Sequence, residues 1–434
     1  MKLNQMLSKS IIAMALATSL LSLPQAVAAG SGAGEQKASE KKTKRVPAMR
    51  NRVYTHLALA QKIGEEQGVA AGLAKLDEVK GRIEQLNSYE RAMLWNFYGF
   101  MHYNNEDVPN ALIAFERVIS EQAIPESLRL STMRSVGQLY MAQENYTKAL
   151  EYLTLWRDTH GKALNDGDHV LFAQNYYQTK QYQLAIDSIE QAVVLREAKD
   201  KLPKENWLVL LRAAYYELKQ PLKVTEVLEK MVRLYNKPEH WVQLAGMYGE
   251  TEQEIKQLAV MEAAWQAGYI TKGQDMVNLA QLYLFHEVPF KAAVVLEQAM
   301  QEGKIKKIEK NLQLVSQAYL MAKNDDLAII PLKDAAKVAE HGNFEAQLAE
   351  IYVNTEQWDK AIDAATVALR KGELNNPGNI HMALGMAHYN LNSYDASLFA
   401  LSKAKLFKPT KNMASQWITY VSKEQDMQVK RAVF

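Results

Sequence analysis

The side chains able to do chemistry are few and scattered. Of the nine histidines, the nearest pair, His381 and His388, stands seven residues apart on one helix, ~10 Å by helix rise. Zinc needs ligands closer together, with a third on a neighbouring element, so no metal site is expected. There is no cysteine, hence no thiol nucleophile and no disulfide framework. The acid pair Asp325-Asp326 falls in a turn between helices, where capping and solvation account for it without acid–base work. GSGAGE, Gly30 to Glu35, has neither the preceding strand nor the Gly-Lys-Ser/Thr ending of a phosphate loop. No Gly-x-Ser-x-Gly or His-Glu-x-x-His occurs. The expectation is a protein that is not an enzyme and has no cofactor, acting through its surface.

What positions that surface is a helix hairpin. In NLAQLYLFHEVPFKAAVVLEQAMQEGK, Asn278 to Lys304, one helical face carries Leu279, Ala280 and Tyr283 and a second carries Ala292, Leu296 and Ala299. Small residues at this spacing let two helices approach closely. The second-helix small position returns at Gly72, Ala111, Ala149, Ala185, Val224, Gln257, Ala292, Ala328, Ala361 and Ser397. The mean spacing is about 36 residues, near the ~34 of a tetratricopeptide. Trp241-Val-Gln-Leu244-Ala245-Gly-Met-Tyr248 fits W-x2-L-G-x2-Y with Ala for Gly, and His102 and His388 take the Tyr place, where they should pack. The units at Gly72, Val224 and Gln257 are degenerate.

The chain therefore resembles the tetratricopeptide repeat (TPR) family across residues 53–411. That implies an all-α TPR solenoid, a right-handed superhelix of about nine to ten antiparallel hairpins. Residues 412–434 read as a capping helix and tail that grow polar towards the end. Near the N-terminus, RVPAMRNRVYTHLALAQ, LNSYERAMLWNFYGFMHYNNEDVPNALIAFERVISEQAIPESL and YTKALEYLTLW resemble the TPR proteins that accompany the TonB energy-transduction system of Gram-negative bacteria. So does AWQAGYITKGQDMVNLAQLYLFHEVPFKAAVVLEQ. This closer resemblance implies a periplasmic accessory to TonB-dependent iron-siderophore or haem uptake, with protein partners in the TonB complex. A scaffold for envelope polysaccharide or peptidoglycan assembly is the alternative, with Tyr and Trp stacking on sugars.

By the same resemblance, ligands lie in a groove lined by first helices, at the first, fourth and fifth positions after the small residue. Those positions hold Phe100, Tyr103 and Asn104, then Gln138 and Met141, then Gln174, Tyr177 and Gln178, then Tyr216 and Glu217. Further along they hold Gln281, Leu284 and Phe285, then Gln317 and Met321, then Glu350 and Asn354, and finally Met386, Tyr389 and Asn390. Amides can pair with an extended backbone while rings take side chains.

The start of the chain reads as an export signal. Lys2 and Lys9 precede an apolar run from Ile11 to Leu23, and Ala26-Val27-Ala28 offers cleavage between Ala28 and Ala29. The run is shorter than the roughly 20 residues of a transmembrane helix, so no span is expected after processing to the periplasm. Residues 29–52 form a basic arm with Lys37, Lys41, Lys42, Lys44, Arg45, Arg50 and Arg52 against Glu35 and Glu40. Such an arm suits a solvated linker or weak contact with anionic lipid. The remaining body is mildly acidic, which argues against nucleic acid as a partner.

Overall fold

A computed structural model describes residues 45–433. The expected cleavage site at Ala28 and Ala29, and the arm up to Lys44, lie outside the described residues. Among those described, every regular element is helical, with twenty-one α-helices and one 3-10 turn at Ile83–Gln85. Unit one, described from residue 45 to 227, pairs α1 (Asn51–Gln67) with α2 (Val69–Lys80), and α3 (Ser88–Asn104) with α4 (Val108–Ser120). It continues with α5 (Glu126–Ala142) and α6 (Tyr146–His160), α7 (Asp166–Gln178) and α8 (Tyr182–Glu197), and α9 (Glu205–Glu217) before α10 (Pro221–Tyr235). The unit boundary falls within α10. Unit two pairs α11 (Pro238–Glu250) with α12 (Glu254–Gln266), α13 (Gly273–Phe285) with α14 (Pro289–Gln301), and α15 (Glu309–Met321) with α16 (Asp325–Val338). Then come α17 (Asn343–Asn354) with α18 (Trp358–Lys371), α19 (Pro377–Asn390) with α20 (Tyr394–Ala404), and a last helix, α21 (Lys411–Val433).

Helices pack as hairpins because small residues meet larger ones across the pair. Ala280 and Ala292 are fully buried, as are Leu296 and Ala299 beside them. At Gly99 the approach is close: a Cβ there would stand 2.5 Å from the Phe115 ring. In the unit at Gln257 the close approach is at Gly249, where a Cβ would lie 2.7 Å from the Gln257 amide nitrogen. In the unit at Val224 the first-helix small position is held by Arg212, whose burial lowers its pKa.

Nine of the hairpins turn in one way. Glu106, Glu144, Lys180, Lys219, Glu252, Glu287, Lys323, Glu356 and Asn392 each hold a left-handed φ between 54° and 61° after the first helix. The following amide bonds back to the carbonyl five residues earlier, as in Val288 N–H to Tyr283 at 2.8 Å and Gln181 N–H to Tyr176 at 2.8 Å. These are Schellman closures, in which the orphan carbonyls of the helix end are satisfied by backbone alone.

Between consecutive hairpins runs a repeated polar contact. Tyr140, Tyr215, Tyr248 and Tyr319 donate their phenols to Glu116, Glu190, Glu229 and Glu297 of the preceding second helix, at 2.5, 2.5, 2.7 and 2.7 Å. Glu262 stands in the equivalent place beside Tyr283, whose phenol pKa is pushed up by burial and by that carboxylate. A lysine of the tyrosine's own hairpin covers the ring: Lys148 over Tyr140 at 5.0 Å, Lys256 over Tyr248 at 5.4 Å and Lys291 over Tyr283 at 5.5 Å. Tyr140 and Tyr248 thus each bond a carboxylate while the π-face meets a cation. Before Tyr352 the acid is replaced by Lys333, which approaches that ring at 6.0 Å.

The first helix begins at Asn51, earlier than the expected arm boundary at Arg52, and Arg50 is bound rather than free. Its backbone N–H and Nε reach Glu90 Oε1 at 2.9 and 2.8 Å, and its Nη2 reaches Glu90 Oε2 at 2.6 Å. Asn87 and Glu90 form a reciprocal capping box at the start of α3. The Arg50 hydrogen bonds hold the buried Glu90 carboxyl down at a pKa of about 2. At the other end, α21 buries Ala414 and Val421 against the last hairpin, with Trp417 and Ile418 half-buried beside them.

Candidate interaction surface

The first-helix positions expected to bind a partner differ between the two units. In unit one they are largely engaged within the array. Phe100 meets Phe115 edge-on at 5.3 Å, and Phe100, Tyr103 and Met141 pack half-buried against the core around Ala111 and Val136. Each of these groove positions thus leans on a neighbouring helix and shows only part of its side chain at the surface. Gln138, Gln174 and Gln178 are half-buried, and Asn104 is exposed. Tyr177 stacks edge-on against Tyr182 at 5.5 Å, and Glu217 accepts a hydrogen bond from Tyr182. Tyr216 stands 61% exposed.

Unit two leaves more of this face open. Gln281 and Gln317 are exposed, Phe285 is 65% exposed and Met321 49%. They occupy equivalent positions at the ends of α13 and α15, and Leu284 is half-buried between them and the core. Phe285 and His286 meet edge to face at 5.1 Å. Asn354 is exposed; Glu350 is too, yet enough protein surrounds its carboxyl to push its pKa up, with Asn379 opposing through a hydrogen bond.

The end of the row is closed. Tyr389 shares a hydrogen bond with Tyr420 at 2.9 Å and lies 5.8 Å from the Trp417 ring, both residues of α21. The chain's own last helix therefore lies beside Tyr389 and covers part of it. Asn390 is turned back to its own helix, donating to the Met386 carbonyl at 2.9 Å.

The two histidines at the tyrosine place are packed. His102 bonds Asp107 at 3.0 Å and stacks on Tyr98, while burial lowers the pKa of His388. Sequence reasoning missed the carboxylates that bind the tyrosines. Their signal was present: Glu116, Glu190, Glu229, Glu262 and Glu297 each stand five residues after the second-helix small position.

A family model for subunit 3 of the anaphase-promoting complex, or cyclosome, matches residues 104–192. Those residues span the turn into α4 through most of α8. No curated protein matches. Among solved structures, MamA protein is similar over 41% of this chain and 91% of its own, at 15% identity and a TM-score of 0.34. A tetratricopeptide repeat protein from Parabacteroides merdae is similar over 58% of this chain and 94% of its own, at 13% identity and 0.34. YrrB, a TPR protein described as having an unusual peptide-binding site, is similar over 44% and 97%, at 14% identity and 0.34. With the hairpins, small-residue contacts and turns described above, the fold is an all-helical array of about ten TPR-type hairpins closed by a C-terminal helix. No helix among the described residues is long and apolar enough to cross a membrane.

Proposed function

We propose that this TPR-type array is a non-enzymatic scaffold that binds protein partners through the open first-helix face of unit two, as a periplasmic accessory of a TonB-type system for iron-siderophore or haem uptake. The observation that carries the binding face is the alignment of Gln281, Phe285, Gln317 and Met321 on successive hairpins, exposed after packing has engaged their neighbours. Exposed rings and thioethers beside amides suit a peptide segment: the apolar groups take side chains and the amides take backbone. The TonB assignment is supported by the sequence words near the N-terminus and from Ala264 to Gln298. In the first group, RVPAMR and NSYE are bound to each other through Arg50 and Glu90.

The test places a photo-crosslinking residue at Phe285 or Met321 in iron-starved and iron-replete cells. Crosslinks to envelope energy-transduction proteins that increase under starvation are expected. Replacing Phe285 and Met321 together by Ala should weaken partner binding by about 2 kcal/mol with helicity unchanged, as for anchoring apolar residues. Retention on envelope glycans without any protein crosslink would instead favour the polysaccharide or peptidoglycan scaffold and remove the TonB reading.

A further inference from the structure

We propose that one edge of unit two docks on an anionic lipid surface. Successive helices in this unit run back and forth, so the turns inside hairpins leave from one edge and the connections between hairpins from the other. The connections are rich in lysine. Lys304, Lys306, Lys307 and Lys310 cluster at the connection from α14 into the first turn of α15, and Lys403, Lys405, Lys408 and Lys411 cluster from the end of α20 to the start of α21 with no acid between Lys403 and Lys411. All eight are exposed, and none is in an ion pair among the described residues.

Exposed aliphatic side chains stand among them. Leu406 is 76% exposed, Val338 55% and Ile308 49%. The acids of this edge are fewer: Glu302 and Glu309 stand beside the first lysine group, the one meeting Gln298 at 2.7 Å and the other His341 at 3.1 Å, and Glu239, Asp275, Glu340 and Glu373 are spread singly over the other connections. The opposite edge has the other sign, with Glu250, Glu252, Glu254, Glu287, Glu356 and Asp359 exposed in or beside its turns. Helix dipoles favour lysine in the last turn of a helix. They give no reason for Lys306, Lys307 and Lys408, which lie beyond the helix ends, or for exposed Ile308 and Leu406 beside them.

Lysines drawn to anionic headgroups, with aliphatic tips entering the headgroup boundary, account for both. A nucleic acid would use aromatic or guanidinium planes to stack on bases, and aliphatic side chains offer none. The acidic edge would then face away from the lipid. This docking does not depend on the partner proposed above, since it uses different residues.

Because the chain has no cysteine, single cysteines can report each edge in the full-length protein. A polarity-sensitive dye is attached at Leu406→Cys, at Ile308→Cys, and at Ile255→Cys on the acidic edge. Vesicles of phosphatidylcholine alone are compared with vesicles of equal parts phosphatidylcholine and phosphatidylglycerol. Blue-shifted emission at both basic-edge positions, with anionic vesicles only and not at position 255, is the expected result. Changing Lys306, Lys307, Lys405 and Lys408 to Glu should weaken vesicle partitioning reported by these dyes on the order of 100-fold at unchanged helicity. Leu406→Ser, which disturbs no buried contact, should weaken it as well. No shift at the basic edge, an equal shift at position 255, or a shift insensitive to the lysine changes would overturn the proposal. So would a shift produced by double-stranded DNA but not by anionic vesicles.

Discussion

A Cβ at Gly99 would strike the Phe115 ring, whereas at Gly246, inside α11, it would meet nothing within 4 Å. The two glycines therefore respond to Ala in opposite directions. Gly99→Ala should destabilise by about 1–3 kcal/mol, because a buried ring must move to admit the methyl group. Gly246→Ala should stabilise by about 0.5–1 kcal/mol by removing backbone freedom from the unfolded helix. Urea midpoints of both variants against the parent chain check the pair, and a loss of stability at Gly246 would contradict the open space there. The small positions were legible in the sequence because close packing forbids volume, and that leaves a periodic trace in residue type. Arg212 escaped the reading because a long side chain at a small position keeps the spacing but not the type.

Between elements, the phenol–carboxylate contact is the feature that ties one hairpin to the next. Tyr319 is nearly fully buried and donates to Glu297 at 2.7 Å. Tyr319→Phe should cost about 1.5–3 kcal/mol, the range for a hydrogen bond to a charged group. Adding Glu297→Gln should cost much less than the sum of the two single changes, since both remove one contact. Thermal or urea unfolding of the four-member cycle reads this; strict additivity would mean the two side chains do not act together. The tyrosines were visible from sequence as part of the repeat word, but their acids were not, because a Glu on a helix face reads equally well as solvated. The surroundings of Tyr389 and Phe100 were hidden for a related reason. Spacing gives the face a residue occupies but not which neighbour covers it, and at Tyr389 the cover is α21.

For the whole molecule, these contacts set limits in pH. Burial, aided by Glu229 and Glu262, pushes the Tyr248 and Tyr283 phenols from 10.0 up to about 12. A raised phenol pKa contributes stability that is complete below 10.0 and lost as pH rises through about 12, because the unfolded chain ionises first. At the acid side, the Glu90 carboxyl lies at about 2 against an ordinary 4.5. Its contribution is complete above 4.5 and disappears as pH falls through about 2. Urea midpoints should therefore fall towards both extremes, with Tyr248→Phe and Tyr283→Phe flattening the alkaline limb and Glu90→Gln the acid limb. Unaltered limbs in these variants would assign the pH dependence to other groups. The N-terminal words taken from sequence as marks of function also have this structural role, since Arg50, Asn87 and Glu90 lock the first hairpins together. The turns carry a different consequence. Because backbone bonds close them, the turn asks little of the side chain at these left-handed positions, Asn392 with its bond from Tyr394 apart, and both Glu and Lys already occupy the place, at Glu287 and Lys323 for example. Each is a place where the sign of the edge can be rewritten by a single codon while the helices stay where they are, so the electrostatics of this molecule can drift independently of its architecture.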